Sequence, residues 1–227
     1  MRLSSAFGTV IIITALCLCA QEQSAPGKNT PVNEVKGIPP RAAPTDYQAH
    51  ASTGTVAVGA EFLGHSIPTA DGSTYTNEDY VAVETGLFGL AGARLNISVG
   101  NFSMLINGKK KKKEVALPSQ PFGMVFRSLK DPVWEDKVAV DAKAAKSSTT
   151  IGKGGVESDP PAPVHMSVEM QRAMQQRVQK VALPEGDRAL PQAGLIFFPY
   201  HGKVDSIQSI ELVYAGPAGT ATLTLQP

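Results

Sequence analysis

The chain has 227 residues, of which 42% are hydrophobic and 18% are charged, so it can form a sizeable core but not several large domains. Its 21 basic and 20 acidic residues give a formal net charge of +1 at pH 7, which argues against a protein whose whole surface binds nucleic acid. The 21 glycines and 17 prolines predict frequent turns and argue against a helical bundle.

Residues 1–20 are typical of an export signal. Arg2 supplies a positive start, and the apolar run 10–18 is shorter than the roughly 20 residues that span a bilayer. Cleavage after Ala20 would remove Cys17 and Cys19 and leave a mature chain without disulfides in an oxidising compartment. We therefore expect a periplasmic or extracellular protein. A lipid anchor is the less favoured alternative, because leucines rather than small residues precede both cysteines.

Residues 21–51 are polar, contain five prolines and show no periodic apolar pattern. This composition predicts a disordered stalk in front of the folded domain, 52–227. A flexible coil of this length spans roughly 30 Å. If its N-terminus is anchored, it holds the domain away from the surface.

Alternating apolar and polar side chains predict eight short strands in the folded domain. The pattern is clear at 55–63, where Val56, Val58 and Phe62 share one face. The remaining candidates lie at 80–88, 94–99, 102–106, 109–117, 194–200, 207–214 and 220–225. Between two of them, Asn107 and Gly108 tolerate the positive φ of a tight hairpin turn. Eight short strands with turns between them favour two antiparallel sheets packed face to face.

One α-helix is expected at 167–183. Met170, Met174 and Val178 fall on one side at helical spacing, and Ser167 can cap the first turn. The preceding residues, 136–163, are rich in Ala, Lys, Ser, Gly and Pro without apolar periodicity, which predicts a mobile linker. The methionine stripe that Met166 begins is expected to pack on its own domain. Adaptation to a partner surface is the alternative.

Four segments together resemble a known family: FSMLINGKK at 102–110, SLKDPVW at 128–134, GLIFF at 194–198 and LVY at 212–214. They are similar to segments of exported bacterial immunoglobulin-like domains of unknown function. The resemblance covers roughly 51–227. It implies an immunoglobulin-like antiparallel β-sandwich, here with one inserted α-helix, and it implies no catalytic residue.

The chain lacks the motifs of several common chemistries. Its histidines are too far apart in sequence for the two-histidine helix of a zinc protease; they are His50, His65, His165 and His201. It contains no G-x-S-x-G elbow, and no cysteine remains after cleavage, so acyl transfer has no evident nucleophile. Residues 152–155 read GKGG, which departs from the spacing of a phosphate-binding loop. We predict no cofactor and no metal site.

The polar loop around Asp71 has two interpretations, of which a calcium-binding site is the less favoured. Oxygen-bearing side chains cluster there, namely Asp71, Ser73, Asn77, Glu78 and Asp79. Their spacing does not match known calcium loops, so an ordinary turn at Asp71-Gly72 is favoured.

A secreted hydrolase is the alternative function, and three glutamates could supply its carboxylates. Glu61, Glu84 and Glu211 lie within strand patterns, and a glycosidase needs two carboxylates that converge in the fold. As the polar members of each alternation they are expected to face water. We therefore name no catalytic residue.

Five consecutive lysines form the most unusual feature: Lys109, Lys110, Lys111, Lys112 and Lys113. Such a run favours docking on an acidic polymer or an anionic surface, or else a charged strand end that prevents edge-to-edge pairing. The whole pattern favours an exported, non-enzymatic binding or accessory module of the cell envelope. The expected partner is an envelope protein or an anionic polymer, without specific nucleic-acid binding.

Overall fold

The structure is a computed structural model that describes residues 37–108, 116–148 and 165–227. Within these ranges the protein is mainly β, with thirteen strands in four antiparallel sheets and three α-helices. This confirms the predicted fold class at the level of mainly β with antiparallel sheets.

Sheet I contains four strands in the order β1, β2, β5 and β11, all antiparallel. Their bounds are β1 Ala49–Thr53, β2 Val56–Gly64, β5 Tyr80–Gly89 and β11 Gln192–Pro199. Sheet II has the order β13, β12, β7 and β8. Its bounds are β7 Phe102–Gly108, β8 Ala116–Pro118, β12 Ile207–Gly216 and β13 Gly219–Leu225.

The two sheets share one apolar core. Val58 and Val83 of sheet I and Met104 and Leu212 of sheet II are fully buried in it. The alternation of apolar residues in β2 and β13 places them on this inner face, as the sequence predicts. Burial of such side chains is the main stabilising contribution to the fold.

The lateral edges of both sheets are tied to neighbouring backbone. The first strand of sheet I meets the end of sheet II, since Thr53 Oγ1 donates to the carbonyl of Ala218 at 3.1 Å. At the opposite edge, the Gln120 amide donates to the carbonyl of Phe197 at 2.8 Å. These contacts join the edge strands of sheet I to the segments that border sheet II.

Two small sheets lie beside the main ones. β6 Arg94–Ile97 pairs with β10 Gly186–Ala189, and β3 Ser66–Pro68 pairs with β4 Thr74–Asn77, which pairs with β9 Leu129–Lys130. Four of these strands were not predicted, because two to four residues are too few to show a period.

Part of the outer face of sheet I is covered by helices. Leu195 and Phe197 of β11 point away from the shared core and pack with Val178 and Val181 of α3 Val168–Val181. This explains why β11 is an unbroken apolar run, since both of its faces are buried. We call α3, α1 Phe122–Val125 and α2 Pro132–Ser148 together the cap.

The structure confirms the predicted helix but not the predicted linker before it. The helix at 167–183 is confirmed within two residues, and Ser167 Oγ accepts from the Met170 amide at 3.2 Å. The mobile linker at 136–163 is wrong for 136–148, which belong to α2; the rest of it lies outside the described residues. Alanine and lysine are good helix formers without any apolar period, and Asp131 Oδ1 accepts from the first-turn amide of Val133 at 3.1 Å.

The predicted disorder is also wrong for the end of the stalk. Residues 37–51 pack on sheet I instead of forming a disordered segment. The Gly37 amide donates to the carbonyl of Lys180 at 2.6 Å, Ile38 bridges to Ala193, and β1 begins at Ala49. Residues 1–36, which include the expected export signal, lie outside the described residues.

Candidate functional site

Glu61 and Glu84, two of the three carboxylates considered for hydrolysis, lie directly opposite each other on β2 and β5. Both are on the outer face of sheet I, and Arg41 binds both. Its Nε donates to Glu84 Oε1 at 3.1 Å and its Nη2 to Glu84 Oε2 at 2.9 Å, while the same Nη2 contacts Glu61 Oε2. Glu211 is on β12 of sheet II, opposite Thr224 and Leu105, and does not join them.

Arg41 makes this pair of like charges tolerable. Two carboxylates opposite each other on adjacent strands repel, but a guanidinium between them supplies a cation and a planar set of donors. The hydrogen bonds to Glu84 are the largest cause that raises the pKa of Arg41 above its ordinary value. The carboxylates therefore act as acceptors for Arg41 and do not form a free acid and base.

Tyr47 completes this cluster from the same N-terminal segment. The Arg41 Cζ lies 4.4 Å from the centroid of the Tyr47 ring, a cation–π distance. The ring lies across Gly59 and Gly86, where an added Cβ would come within 2.6 Å of Tyr47 Cδ2 and 2.5 Å of its hydroxyl. Burial raises the pKa of Tyr47. We call Arg41, Tyr47, Glu61 and Glu84 the Arg41 clasp.

Two glycines in the sequence are a signal for the clasp. Gly59 and Gly86 stand in the middle of strands, where glycine often marks a close approach of another group. They face each other in the register of β2 and β5. Nothing in the Pro-rich segment indicates that Arg41 and Tyr47 are the groups that approach.

A second candidate site lies on the cap. A groove of about 350 Å³ runs between α1 and α3. Aromatic rings form its floor, and glutamines and one arginine form its wall. It is lined by Phe122, Gly123, Phe126, Arg172, Gln175, Gln176 and Gln179. We call it the cap groove, and its arginine is its one charged lining residue.

The cap also carries most of the exposed apolar surface. Of the six large apolar side chains that are exposed among the described residues, five are on its helices. They are Met124, Val133, Val140, Val168 and Met170. The sixth, Leu90, follows β5.

The methionine stripe of α3 is divided between core and surface. Met174 is buried in the second apolar cluster, which α3 forms with Leu195 and Phe197 on the outer face of sheet I, so the favoured core interpretation is confirmed for this residue. Met166 is partly buried against the same cluster, whereas Met170 is 44% exposed. One stripe therefore anchors α3 through Met174 and also leaves Met170 exposed.

The carboxylates of the polar loop around Asp71 pair with basic side chains from other elements. Asp71 pairs with Arg177 of α3 at 3.1 Å, Glu78 pairs with Lys130 at 2.7 Å, and Asp79 pairs with His201 at 3.0 Å. A hydrogen bond from Thr69 is the main cause that lowers the pKa of Asp71. Each of these three carboxylates is therefore paired with a basic side chain.

The histidines do not converge on one site. His65 has Nδ1 2.7 Å from the carbonyl oxygen of Asn77 and Nε2 2.9 Å from that of Gly202, so it cross-links loops. His50 and His165 are exposed. Across the ranges that the structure describes, no group of three or more His, Cys, Asp or Glu side chains could hold a metal ion.

Two predicted features lie outside the described residues. The lysine run 109–113 is one of them, and the glycine-rich segment 152–155 is the other. The structure does not test the anion-docking prediction, which stays a prediction.

No protein-family model, curated protein or solved structure matches the chain. The family resemblance therefore also stays a prediction. In the described part of the chain, no helix combines the length and the apolar character that crossing a membrane requires.

Proposed function

We propose that the protein is an exported, non-enzymatic binding or accessory module of the cell envelope, built on an immunoglobulin-like sandwich. The observation that carries the proposal is the concentration of exposed apolar side chains on the cap, five of six among the described residues. Contiguous exposed apolar surface marks interaction sites, and the proposal is that these side chains of the cap helices contribute to one. Methionine, which is well represented on the cap, adapts to partner surfaces.

The Arg41 clasp supports a non-enzymatic role. A glycosidase needs one carboxyl group that donates a proton and a second that attacks or activates water, with substrate between them. In the clasp, Arg41 occupies the space between Glu61 and Glu84 and binds both. The most suggestive carboxylate pair of the sequence therefore has a structural task.

The clasp also suits a module attached through its N-terminus. It fixes residues 41–47 to sheet I, within the range 21–51 that the sequence predicts to be a stalk. A tension applied through the N-terminus would reach the hydrogen-bonded backbone at Gly37 and Ile38 first and Arg41 next.

Site-specific photo-crosslinking in the native host tests the proposal. A photoreactive phenylalanine analogue at Met124 or at Met170 should give a discrete adduct with an envelope component. The same analogue at Thr222, an exposed position of β13, is the control and should give none. The purified protein should also turn over no glycosidic or ester substrate. Equal adducts from all three positions, or turnover that Glu84→Gln abolishes, would overturn the proposal.

A further inference from the structure

We infer that the cap groove binds an amphipathic, acidic segment of a partner protein. This inference rests on the proposed function and specifies where the module binds and what chemistry its partner presents. It follows from the floor of the groove, its wall and its charge.

The floor of the cap groove is apolar and held in place. The Phe122 ring lies 6.3 Å from the Phe126 ring and 6.4 Å from the Phe197 ring of sheet I, centroid to centroid. Phe122 and Phe126 are partly buried against the second apolar cluster. Aromatic rings that are already fixed lose little conformational freedom when an apolar side chain docks on them.

The wall of the cap groove fits a short helical or extended peptide. Its residues on α3 run from Arg172 to Gln179, which is about 10 Å, or two helical turns. The glutamine amides Gln175, Gln176 and Gln179 offer both donors and acceptors to a peptide backbone or polar side chain. Apolar anchors on a two-turn segment would then reach the aromatic floor.

The charge of the groove favours an acidic occupant. Arg172 is exposed, and it makes no salt bridge within the described residues, whereas Arg177 on the same helix pairs with Asp71. No acidic side chain lines the groove. Opposite charge on a partner both speeds its encounter and fixes its register.

The lining of the groove favours a protein over a small polar ligand. Two aromatic rings form its floor, and Arg172 and the three glutamine amides are its polar side chains. A small polar molecule would leave the rings in water. A polypeptide with apolar and acidic residues would cover them and pair with Arg172.

Gly123 permits a test that blocks the groove without disturbing the fold. It lines the groove, and a Cβ added to it meets no atom within 4 Å. Gly123→Glu therefore places both bulk and negative charge at the entrance. Arg172→Glu reverses the charge of the wall. Lys180→Glu makes the same charge change on the same helix outside the groove and is the matched control.

Random 16-residue peptides displayed on phage are selected against the full chain, and the selected peptides are then synthesised with a fluorescent label. We expect sequences that combine apolar residues at helical spacing with an excess of Asp and Glu. Fluorescence anisotropy should show at least tenfold weaker binding to Gly123→Glu and Arg172→Glu. Binding to Lys180→Glu should stay within about twofold, and circular dichroism should confirm that all three variants are folded.

Several results would overturn the inference. Selected peptides that bind Gly123→Glu as tightly as the wild type would place the site elsewhere, while the proposed function as a binding module would stand. Failure to select any peptide, peptides that are basic, self-association blocked by Gly123→Glu, or binding of the cap to anionic vesicles would each reject an acidic protein segment as the occupant. Demonstrated substrate turnover would instead reject the proposed function.

Discussion

Glu61 and Glu84 face each other on neighbouring strands, and both accept from the same guanidinium. Arg41 reaches them from the N-terminal segment, so the clasp joins residues 20 and 43 positions apart in sequence. Its side chains are partly shielded, since Glu84 is 12% and Arg41 31% exposed. Removing one partner from such a group leaves charges without compensation, which costs more than the intact group contributes.

Replacing Arg41 with Met should therefore destabilise the fold. Two carboxylates would remain opposite each other without a cation, and the cost should be ~2 kcal/mol of unfolding free energy. Urea denaturation followed by circular dichroism measures it. Arg94→Met is the matched control, because the Arg94–Asp187 pair is 57% and 64% exposed and should contribute under ~0.5 kcal/mol. Equal effects of the two changes would show that the clasp does not stabilise the fold.

Gly86 should be intolerant of alanine as long as Tyr47 is present. An added Cβ at Gly86 would lie 2.5 Å from the Tyr47 hydroxyl and 2.8 Å from Phe88 Cε2, and overpacking of this kind costs ~1–3 kcal/mol. In a Tyr47→Ala background the same substitution should cost clearly less, as a double-mutant cycle would reveal. Gly100→Ala is the control, since its nearest contact would be Ser98 Oγ at 3.5 Å. An unchanged cost in the Tyr47→Ala background would mean that the Tyr47 ring does not impose the glycine.

Sequence patterns predicted the main sheets because period-two alternation reports one-sided burial directly. Val56, Val58 and Phe62 are buried as β2 requires, and Ser167 caps α3. The pattern failed where a segment packs by polar or aromatic contacts at a distance. Arg41 and Tyr47 have no periodic neighbours, so a Pro-rich composition indicated disorder although specific long-range contacts hold the segment.

The cap was only partly predictable for a related reason. The anchor residues Met174 and Val178 repeat at helical spacing and were identified. α2 has little apolar periodicity because most of its residues over 132–143 are exposed, so only the helix propensity of Ala and Lys could have indicated it. The cap groove depends on how α1 and α3 lie together, which no local pattern encodes.

Tyr47→Phe should reduce the loss of stability in alkali. Burial raises the pKa of Tyr47 in the folded state above its ordinary value of 10.0. The folded protein then holds the phenol proton of Tyr47 more tightly than the unfolded chain does. This proton binding therefore contributes fully to the free energy of unfolding below pH 10, and the contribution is lost as the pH rises through the folded pKa. Urea denaturation between pH 8 and about pH 11 measures the loss.

The same change should be neutral or slightly stabilising near pH 7. The Tyr47 hydroxyl is buried and has no hydrogen-bond partner within the described residues, and such a group costs free energy. Tyr214→Phe provides the comparison, because burial also raises the pKa of Tyr214. The double variant should lose less stability in alkali than either single one. If the free energy of unfolding of Tyr47→Phe depends on pH as that of the wild type does, ionisation of the Tyr47 phenol does not contribute to the loss of stability in alkali.

The lysine run should give the module a separate, salt-sensitive affinity for anionic surfaces. These five residues are a large share of the 21 basic residues of the chain, and flexible ammonium groups attract phosphate, sulfate and carboxylate without fixed geometry. Lys109, Lys110, Lys111, Lys112 and Lys113 are all changed to Gln. We expect loss of binding to vesicles of anionic phospholipid and to an acidic polysaccharide at low salt, with the fold unchanged by circular dichroism.

A second variant with the same loss of charge distinguishes the effect of the lysine run on binding from the effect of the net charge of the molecule. In it, five exposed basic residues elsewhere become Gln: Lys137, Lys143, Arg172, Lys180 and Lys203. It should retain most of the binding, because closely spaced charges act together within a Debye length of about 10 Å. Binding that falls equally in both variants would show that overall charge determines it, and binding that persists in the 109–113 variant would remove the anion-docking prediction.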